Sequence, residues 1–553
     1  MFSTLQILIL LGWLLTAITV SIFGLNSYIL LWLSRRKSNN QTTKRIGEPV
    51  EWPLVAIQIP TYNEGTVIER TLKDCLSMNY PKDKLEIIVV DDSTDETTQL
   101  LREFERRHRQ SVRVIHRLSR EGYKAGALNE AMKHSKGEFF LILDADTSPS
   151  RSFLKEVIPY LLADEKLGFI QGKIEYINTE KSWLAGSIAL ANDWYRVFTQ
   201  SALSKGGMLL SFLGHAGVFR RSAIEDAGGW ESDTLTEDMD LSYRAQMKGW
   251  RGLFLEEAKC VEEVPPSYLA AVIQYDRHLR GPIQNLRKHG LPLLRNKHLS
   301  PIQKFEGILQ MAYPLCYPLT FLCLTLGVLA HLLLPVEFLK SFWLTPAGLT
   351  ILAFTFTSFP YISFMLSFYI PALLLLVLFP VLYMLTRTGG RGRRLKDVLG
   401  AIFIWNDNII TGTKVLFSLL MGRKGGWIRT LRVRQTLRSE ALTLKRRRME
   451  EAALRIIPSA LILSLFTVIM SRGLTLQALG LAVPAVQWIV SAYLLLKPES
   501  KNVRIRLIEQ SYLNPKTGTR SSRFNYAALS FRCLESPLFF MDHHVGEYPL
   551  RFL

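Results

Sequence analysis

Cysteine is scarce in this chain. The five present, Cys75, Cys260, Cys316, Cys323 and Cys533, are odd in number, widely scattered and never in a CxxC pair. That excludes a disulfide framework and a structural zinc site, and fits a main domain facing a reducing cytosol. A Walker-type glycine-rich loop and a GxGxxG segment are also missing, which counts against ATP hydrolysis and dinucleotide binding. Acidic residues are outnumbered: 67 Lys+Arg face 48 Asp+Glu over 553 residues, a formal charge of +19. Hydrophobic residues reach 48% while charged ones hold at 21%. Disorder, collagen-like repeats and a small disulfide scaffold are thereby excluded. What remains is a large water-facing domain joined to several apolar spans.

The apolar runs place the membrane. Leu5 to Leu33 carries no formal charge and is long enough to cross a hydrocarbon core of about 30 Å with tilt. It lacks the basic n-region of a signal peptide, so residues 1–34 are expected to be an uncleaved transmembrane anchor; a buried core helix is the competing reading. Arg35, Arg36 and Lys37 follow at once, which puts the next segment in the cytosol by the positive-inside rule. Further runs cover about Ile308 to Leu334, Phe342 to Leu385, Ile456 to Met470 and Leu474 to Leu496. Transmembrane spans are therefore expected over 301–386 and a transmembrane hairpin over 455–497. The run after Phe342 is long enough for two crossings, but two would place the basic stretch 387–448 outside, so one crossing plus a re-entrant or interfacial piece is favoured. Residues 387–450 mix basic and aromatic side chains, and 395–421 reads as an amphipathic helix in the headgroup plane. A solvated basic loop is the alternative there. The spans show no convincing intramembrane charge, which weighs against a transporter. Because the basic residues cluster beside spans, anionic lipid is a better partner than nucleic acid. Residues 498–553 read as a cytosolic tail.

Between residues 50 and 300 the pattern changes. Val55 to Ile59, Leu85 to Val90, Val112 to Ile115 and Phe139 to Leu143 read as strands, with helices over Gly65 to Met78 and Gly122 to His134. Such alternation predicts a mostly parallel sheet with helices on both faces. Ligands bind at the carboxyl ends of such strands, where Asp91, Asp92, Asp144 and Asp146 stand. Asp144 and Asp146, at i and i+2 after a buried strand, can share a hard cation with a diphosphate; a turn rich in capping aspartates is equally consistent. Thr234 followed by Glu237 resembles a capping box, which would put Asp238 in the first helical turn. On that reading alone, Glu237, Asp238 and Asp240 do no more than complement a helix dipole.

The motifs, taken in order, carry a resemblance. They run Ile59-Pro60-Thr61-Tyr62-Asn63-Glu64, Val90-Asp91-Asp92-Ser93, Gly122-Tyr123-Lys124-Ala125-Gly126-Ala127-Leu128-Asn129 and Asp144-Ala145-Asp146. Then come Gly228-Gly229-Trp230, Thr236-Glu237-Asp238-Met239-Asp240-Leu241, Lys248-Gly249-Trp250 and Gln274-Tyr275-Asp276-Arg277-His278. This order resembles membrane-integrated, inverting family 2 glycosyltransferases of the GT-A fold, and its wording resembles cellulose-synthase-like mannan and glucomannan synthases. The resemblance implies an α/β GT-A domain, Rossmann-like with a mostly parallel sheet, on an α-helical transmembrane bundle. It also implies a nucleotide-sugar donor (GDP- or UDP-linked), a glycan or lipid acceptor, and Mg²⁺ or Mn²⁺ as cofactor.

Roles follow by the same resemblance. Thr61, Glu64 and Asp92 would face the nucleotide, with Lys124, Asp144, Gln274 and Arg277 beside the diphosphate. Asp144 and Asp146 would hold the metal. Asp238, within Thr236-Glu237-Asp238, would be the catalytic base, and one displacement would turn an α-linked donor into a β-linked product. His278 stands where the family usually has Trp, and His215 departs from the usual wording before Ala216-Gly217-Val218-Phe219-Arg220. Both departures point to an altered acceptor site, with satisfied structural histidines as the bland alternative. The expected activity is a processive β-glycan synthase that also translocates its product. A non-processive enzyme acting on a lipid acceptor and a transporter with a cytosolic regulatory domain are the competing readings. The expected location is the cell membrane, with the catalytic domain in the cytosol.

Overall fold

The computed structural model describes residues 2–36, 47–265, 267–342, 395–423 and 438–497. Most of the apolar run after Phe342, part of the basic stretch between 387 and 448, and the tail 498–553 lie outside the described residues.

Helix α1 (Thr4–Ser34) leads into strand β1 (Val55–Thr61), α2 (Gly65–Leu76), β2 (Leu85–Asp91), α3 (Thr97–Arg107) and β3 (Val112–His116). There follow α4 (Tyr123–Lys133), β4 (Phe139–Ile142), β5 (Ser148–Pro149), α5 (Phe153–Ala163), β6 (Leu167–Ile177) and α6 (Trp183–Asp193). A π-helical turn (Trp194–Thr199) continues into α7 (Gln200–Gly206), then β7 (Gly217–Arg220), α8 (Arg221–Asp226), α9 (Glu237–Met247), β8 (Arg251–Glu263) and α10 (Tyr268–Arg295).

The eight strands form one sheet in the order β3-β2-β1-β4-β7-β6-β8-β5. β3, β2, β1 and β4 run parallel, as do β6 and β8, while β7 and β5 pair antiparallel to their neighbours. The parallel strands are near-continuous apolar runs because helices cover both faces. Alternation then sorts them: Val55, Ile57, Ile59, Ile87, Val89 and Leu141 enter one core with α2, α3 and α5. Ala56, Ile88, Val90, Phe140 and Ile142 enter the other, with α4 and α9. The expected mostly parallel α/β domain is present; β6, β7 and β8 extend the sheet beyond the strands read from sequence.

The apolar helices follow. α11 (Pro301–Ala312) and α12 (Cys316–Leu333) are joined through a 3₁₀ turn at Tyr313–Leu315, where Pro314 lacks a backbone donor, and the apolar run from Ile308 lies within this helical stretch. α13 (Val336–Phe342) and α14 (Leu395–Leu420) come next, then α15 (Arg438–Ser471) and α16 (Thr475–Leu496), which turn at Gly473 with φ 73°. Among the described residues, three stretches are long and apolar enough to cross a membrane: Thr4–Ser34, Pro301–Leu333 and Leu444–Ser471.

α14 packs against α6, α10 and α12. Val398, Ala401, Ile404 and Trp405 are buried with residues of α6 and α10, and Ile409, Ile410 and Val415 with residues of α1 and α12. Arg455, inside the third apolar stretch, is fully buried and holds Asp407 through Nε at 2.7 Å and Glu451 through Nη1 at 3.1 Å. The three charges lie on two helices far apart in sequence, so neither hydropathy profile reveals the match.

Candidate active site

Strand β4 delivers Asp144 to the carboxyl edge of the sheet. The turn beyond it is pinned from behind, where Thr71 Oγ1 donates to Ala145 O at 2.8 Å and Arg70 to Asp146 O at 3.3 Å. Asp144 is partly open, with its side chain 39% exposed, whereas Asp146 is buried. Lys124 Nζ, from the first turn of α4, donates to Asp144 Oδ1 at 2.6 Å and to Gly214 O at 2.9 Å. It gets there because the chain reverses just before α4, through Gly122 (φ 68°) and Tyr123 (φ 48°).

Gly214 joins this pair to the opposite wall. Its φ is 87°, and a Cβ there would lie 2.8 Å from Asp238 Oδ2 and 3.6 Å from Lys124 Nζ. Only glycine lets the loop fit between the two side chains. Asp238 Oδ1 accepts from Met239 N at 2.8 Å. Asp144, Lys124 and Asp238, from three distant stretches of chain, therefore converge on one cleft.

The charges shape one another. Burial works against ionising Asp144, yet Lys124, His215 and Arg277 hold its carboxyl well below the usual range. Burial would lower Lys124, but Asp144, Glu237 and Asp238 keep it raised. Asp238 is pushed up to about 7 by burial and by neighbouring Glu237, against the pull of Lys124. Glu237 is raised as well, chiefly by burial.

The expected capping box is absent. Helix α9 begins at Glu237, with Thr236 in the N-cap position and no side-chain cap, so Glu237 is the first helical residue and not the third. Thr234 lies outside the helix, its buried hydroxyl without a hydrogen-bond partner among the described residues. Asp238 still falls in the first turn. Thr236 Oγ1 instead accepts from Asn285 Nδ2 of α10 at 2.8 Å, and Gly281 lets α10 come this close, since a Cβ there would meet Thr236 Cγ2 at 2.3 Å.

Gln274, Arg277 and His278 share one face of α10, at i, i+3 and i+4. The Arg277 charge acts on Asp144, Glu237 and His278, which puts it at the same cleft. Gln274 Oε1 is buried without a hydrogen-bond partner among the described residues. His278 is held well below its ordinary range, first by burial and then by Arg277, so it is a neutral ring. His215 is buried beside Asp144: Nδ1 is 3.1 Å from Thr147 Oγ1, and Nε2 is 3.3 Å from Glu262 Oε2 and 4.0 Å from Asp144 Oδ2. Burial lowers its pKa as well.

Beyond the end of β2, Asp92 is gripped by both arms of Arg117, at 2.7 and 2.6 Å. Arg120 stacks over Tyr62, 3.5 Å from the ring centre. Thr61 is buried and Glu64 is the N-cap residue of α2. Their loop is tied to the end of β2 by Asn63 N to Ser93 Oγ and Thr94 N to Asn63 Oδ1, both 2.8 Å. Asp91 is internal and accepts from Thr98, Ser93 and His116. Asn129 and Trp230 exchange two hydrogen bonds, at 2.8 and 3.0 Å, and so lock α4 to the loop before α9.

Sequence reasoning missed Arg117, and it missed Glu262, which is ion-paired with buried Arg196 from the π-helical turn. β8 mixes buried with exposed residues and carries Glu256, Glu257 and Glu263 as well, so no local signal sets Glu262 apart. A tight group of three carboxylates, Glu231, Asp233 and Asp240, also exists. Lys288 Nζ fills it at 2.6, 2.7 and 2.7 Å, so it is an ion-paired cluster.

Comparison with known proteins finds relatives of the region that holds this site. The chain is 34% identical over 261 residues to glucomannan 4-beta-mannosyltransferase 7 of Arabidopsis thaliana, covering 46% of this chain and 47% of the relative. Glucomannan 4-beta-mannosyltransferase 9 of the same plant is 35% identical over 264 residues, covering 46% and 50%. The chain thus spans about half the length of the curated relatives it matches. A mannosyltransferase of Pyrobaculum calidifontis, solved with GDP-Man and Mn²⁺, aligns over 63% of this chain and 97% of its own at 25% identity and a TM-score of 0.46. Residues 53–281 match the family described as glycosyltransferase like family 2.

Proposed function

We propose that the protein is a membrane-bound, inverting hexosyltransferase that polymerises a β-linked glycan of the mannan or glucan type from a GDP- or UDP-sugar and passes the product across the bilayer. The observation that carries this reading is the convergence of Asp144, Lys124 and Asp238 across Gly214. The names of the glucomannan relatives support a mannosyl donor.

Asp238 is the base. Its raised pKa suits a group that must take a proton near neutral pH. It stands across Gly214 from the Lys124–Asp144 pair, as needed to activate an acceptor hydroxyl on the side of the sugar away from the diphosphate. Lys124 and Arg277 face the departing diphosphate, where charge develops. Asp144 and Asp146 are the residues that would hold Mg²⁺ or Mn²⁺; the partly open carboxylate of Asp144 and its hard oxygen donors fit such an ion. When bound, the cation supplies Lewis-acid neutralisation of the leaving group. Thr61, Glu64 and the Arg117–Asp92 pair frame the nucleotide end. Thr236 and Glu237 hold the base in place, and Gln274, His278 and His215 line the acceptor and diphosphate side. The three apolar stretches seat the catalytic domain on the cytosolic face of the cell membrane.

The test is a panel of GDP-mannose, GDP-glucose, UDP-glucose and UDP-N-acetylglucosamine given to membranes with Mn²⁺ or Mg²⁺. One donor should yield a polymer, with none from Asp238→Asn or after chelation. A product of one sugar on lipid would replace the processive reading with the lipid-acceptor one. Turnover of no donor would reject both.

A further inference from the structure

The charges that join α10 to the membrane helices have no role in the chemistry above, yet they form one continuous chain. Asp276 lies between Gln274 and Arg277. It accepts from Arg280 through Oδ1 at 3.2 Å and faces Lys414 Nζ of α14 through Oδ2 at 2.7 Å. Lys414 also holds Glu451 of α15 at 2.6 Å, and Glu451 in turn meets Arg455, which holds Asp407. Arg280 reaches back to α14 at Ser418 Oγ, 3.1 Å, and to Arg423 O, 3.3 Å. Three acids and three bases alternate without a gap, and Arg280, Asp407, Glu451 and Arg455 are buried.

Buried ion pairs contribute little net stability, and their best-attested use is to fix one register among several. An apolar contact between α10 and α14 would let the helices slide or rotate, and the Asp276–Lys414 link does not. The opposite face of α10 is fixed in the same manner to the helix carrying the base. Asn285 holds Thr236, and Lys288 and His289 hold Asp240 at 2.7 and 2.6 Å. Helix α10 is thus clamped to α14 through Asp276 and Arg280 and to α9 through Asn285, Lys288 and His289, with Arg277 and His278 between and Gln274 just before.

We propose that Asp276 and Lys414 are positioning residues for glycosyl transfer: their salt link sets the rotation of α10 and so holds Arg277 and Gln274 against the cleft of Asp144 and Asp238. The role rests on the functional reading above. The membrane helices are then part of the catalytic geometry and more than an anchor for it.

The experiment uses the full chain in phosphatidylethanolamine/phosphatidylglycerol nanodiscs, the four donors named above, and thermal unfolding of each variant. Lys414→Met and Asp276→Asn should each lower kcat about tenfold or more, since small misplacements of positioning groups cost that much. Together they should lose no more than either alone, as members of one link do. Lys414→Arg should stay within about threefold of wild type, because it keeps the charge. The triple variant Asp276→Leu, Arg280→Leu and Lys414→Leu removes the link together with the guanidinium it would otherwise strand, while Glu451 keeps Arg455. It should recover the wild-type Tm but not its kcat, which separates positioning from mere stability. Single variants with wild-type kcat, or a leucine triple with wild-type Tm and full kcat, overturn the positioning role and leave the glycosyltransferase reading intact. A wild-type chain silent with all four donors overturns that reading, and this role with it.

Discussion

Lys124 Nζ sits 2.6 Å from Asp144 Oδ1 while the carbonyl of Gly214 accepts a second hydrogen bond from it at 2.9 Å. One ammonium thus ties the end of β4 to the loop that abuts Asp238. Replacing Lys124 with Met leaves Asp144 without its main cationic partner and removes a charge facing the leaving group. Loss of about 10²- to 10³-fold in kcat is expected, as for other preorganised electrostatic contacts. Steady-state kinetics with the productive donor checks it, and Lys124→Arg should recover little because the loop pocket is built for a point charge.

Asp238 sets the pH dependence. With its carboxyl at about 7, kcat/KM should fall tenfold per unit as pH drops below that value, because the protonated acid cannot act as a base. Stability runs the other way. An unfolded aspartic acid ionises near about 3.9, so the folded state binds the proton more tightly. Stability falls as pH rises from that value toward 7 and then levels off. Asp238→Asn should therefore abolish transfer yet raise Tm at pH 8 relative to wild type. An unchanged or lowered Tm there would contradict the desolvated base.

Gly281 permits the contact of α10 with Thr236. Gly281→Ala should cost about 1–3 kcal/mol, the usual scale of overpacking, and should cut activity more than stability, since α10 and α9 carry the reacting groups. Urea unfolding compared with turnover tests this.

Arg455→Met would strand Asp407 among apolar helices and leave Glu451 with Lys414 alone, at a cost of about 3–5 kcal/mol for breaking a buried pair. Changing Asp407→Leu in the same chain should recover part of that loss. A thermal shift assay on the two variants in detergent decides the matter.

Much of the catalytic domain was legible because physics writes it locally. Strands buried on both faces read as apolar runs, and their carboxyl ends collect the acids, so Asp92, Asp144 and Asp146 could be placed from pattern alone. The family motifs then brought Lys124, Asp238, Gln274 and Arg277 to the same region. What was not legible depends on partners far apart in sequence. Nothing near Asp92 announces Arg117 as its clamp, and nothing near Arg455 announces Asp407. The capping box at Thr234 failed because the spacing of Thr and Glu is a local signal, whereas the start of α9 is set by its packing on α10, through Asn285 and Gly281.

The most direct measurement is the proton NMR spectrum of the product made from an α-configured nucleotide sugar by wild type and by Asp238→Asn. A β-anomeric linkage from the wild type and no transfer by the variant are expected. An α-linked product, or transfer unaffected by the loss of the Asp238 carboxylate, would contradict a single displacement run by this cleft.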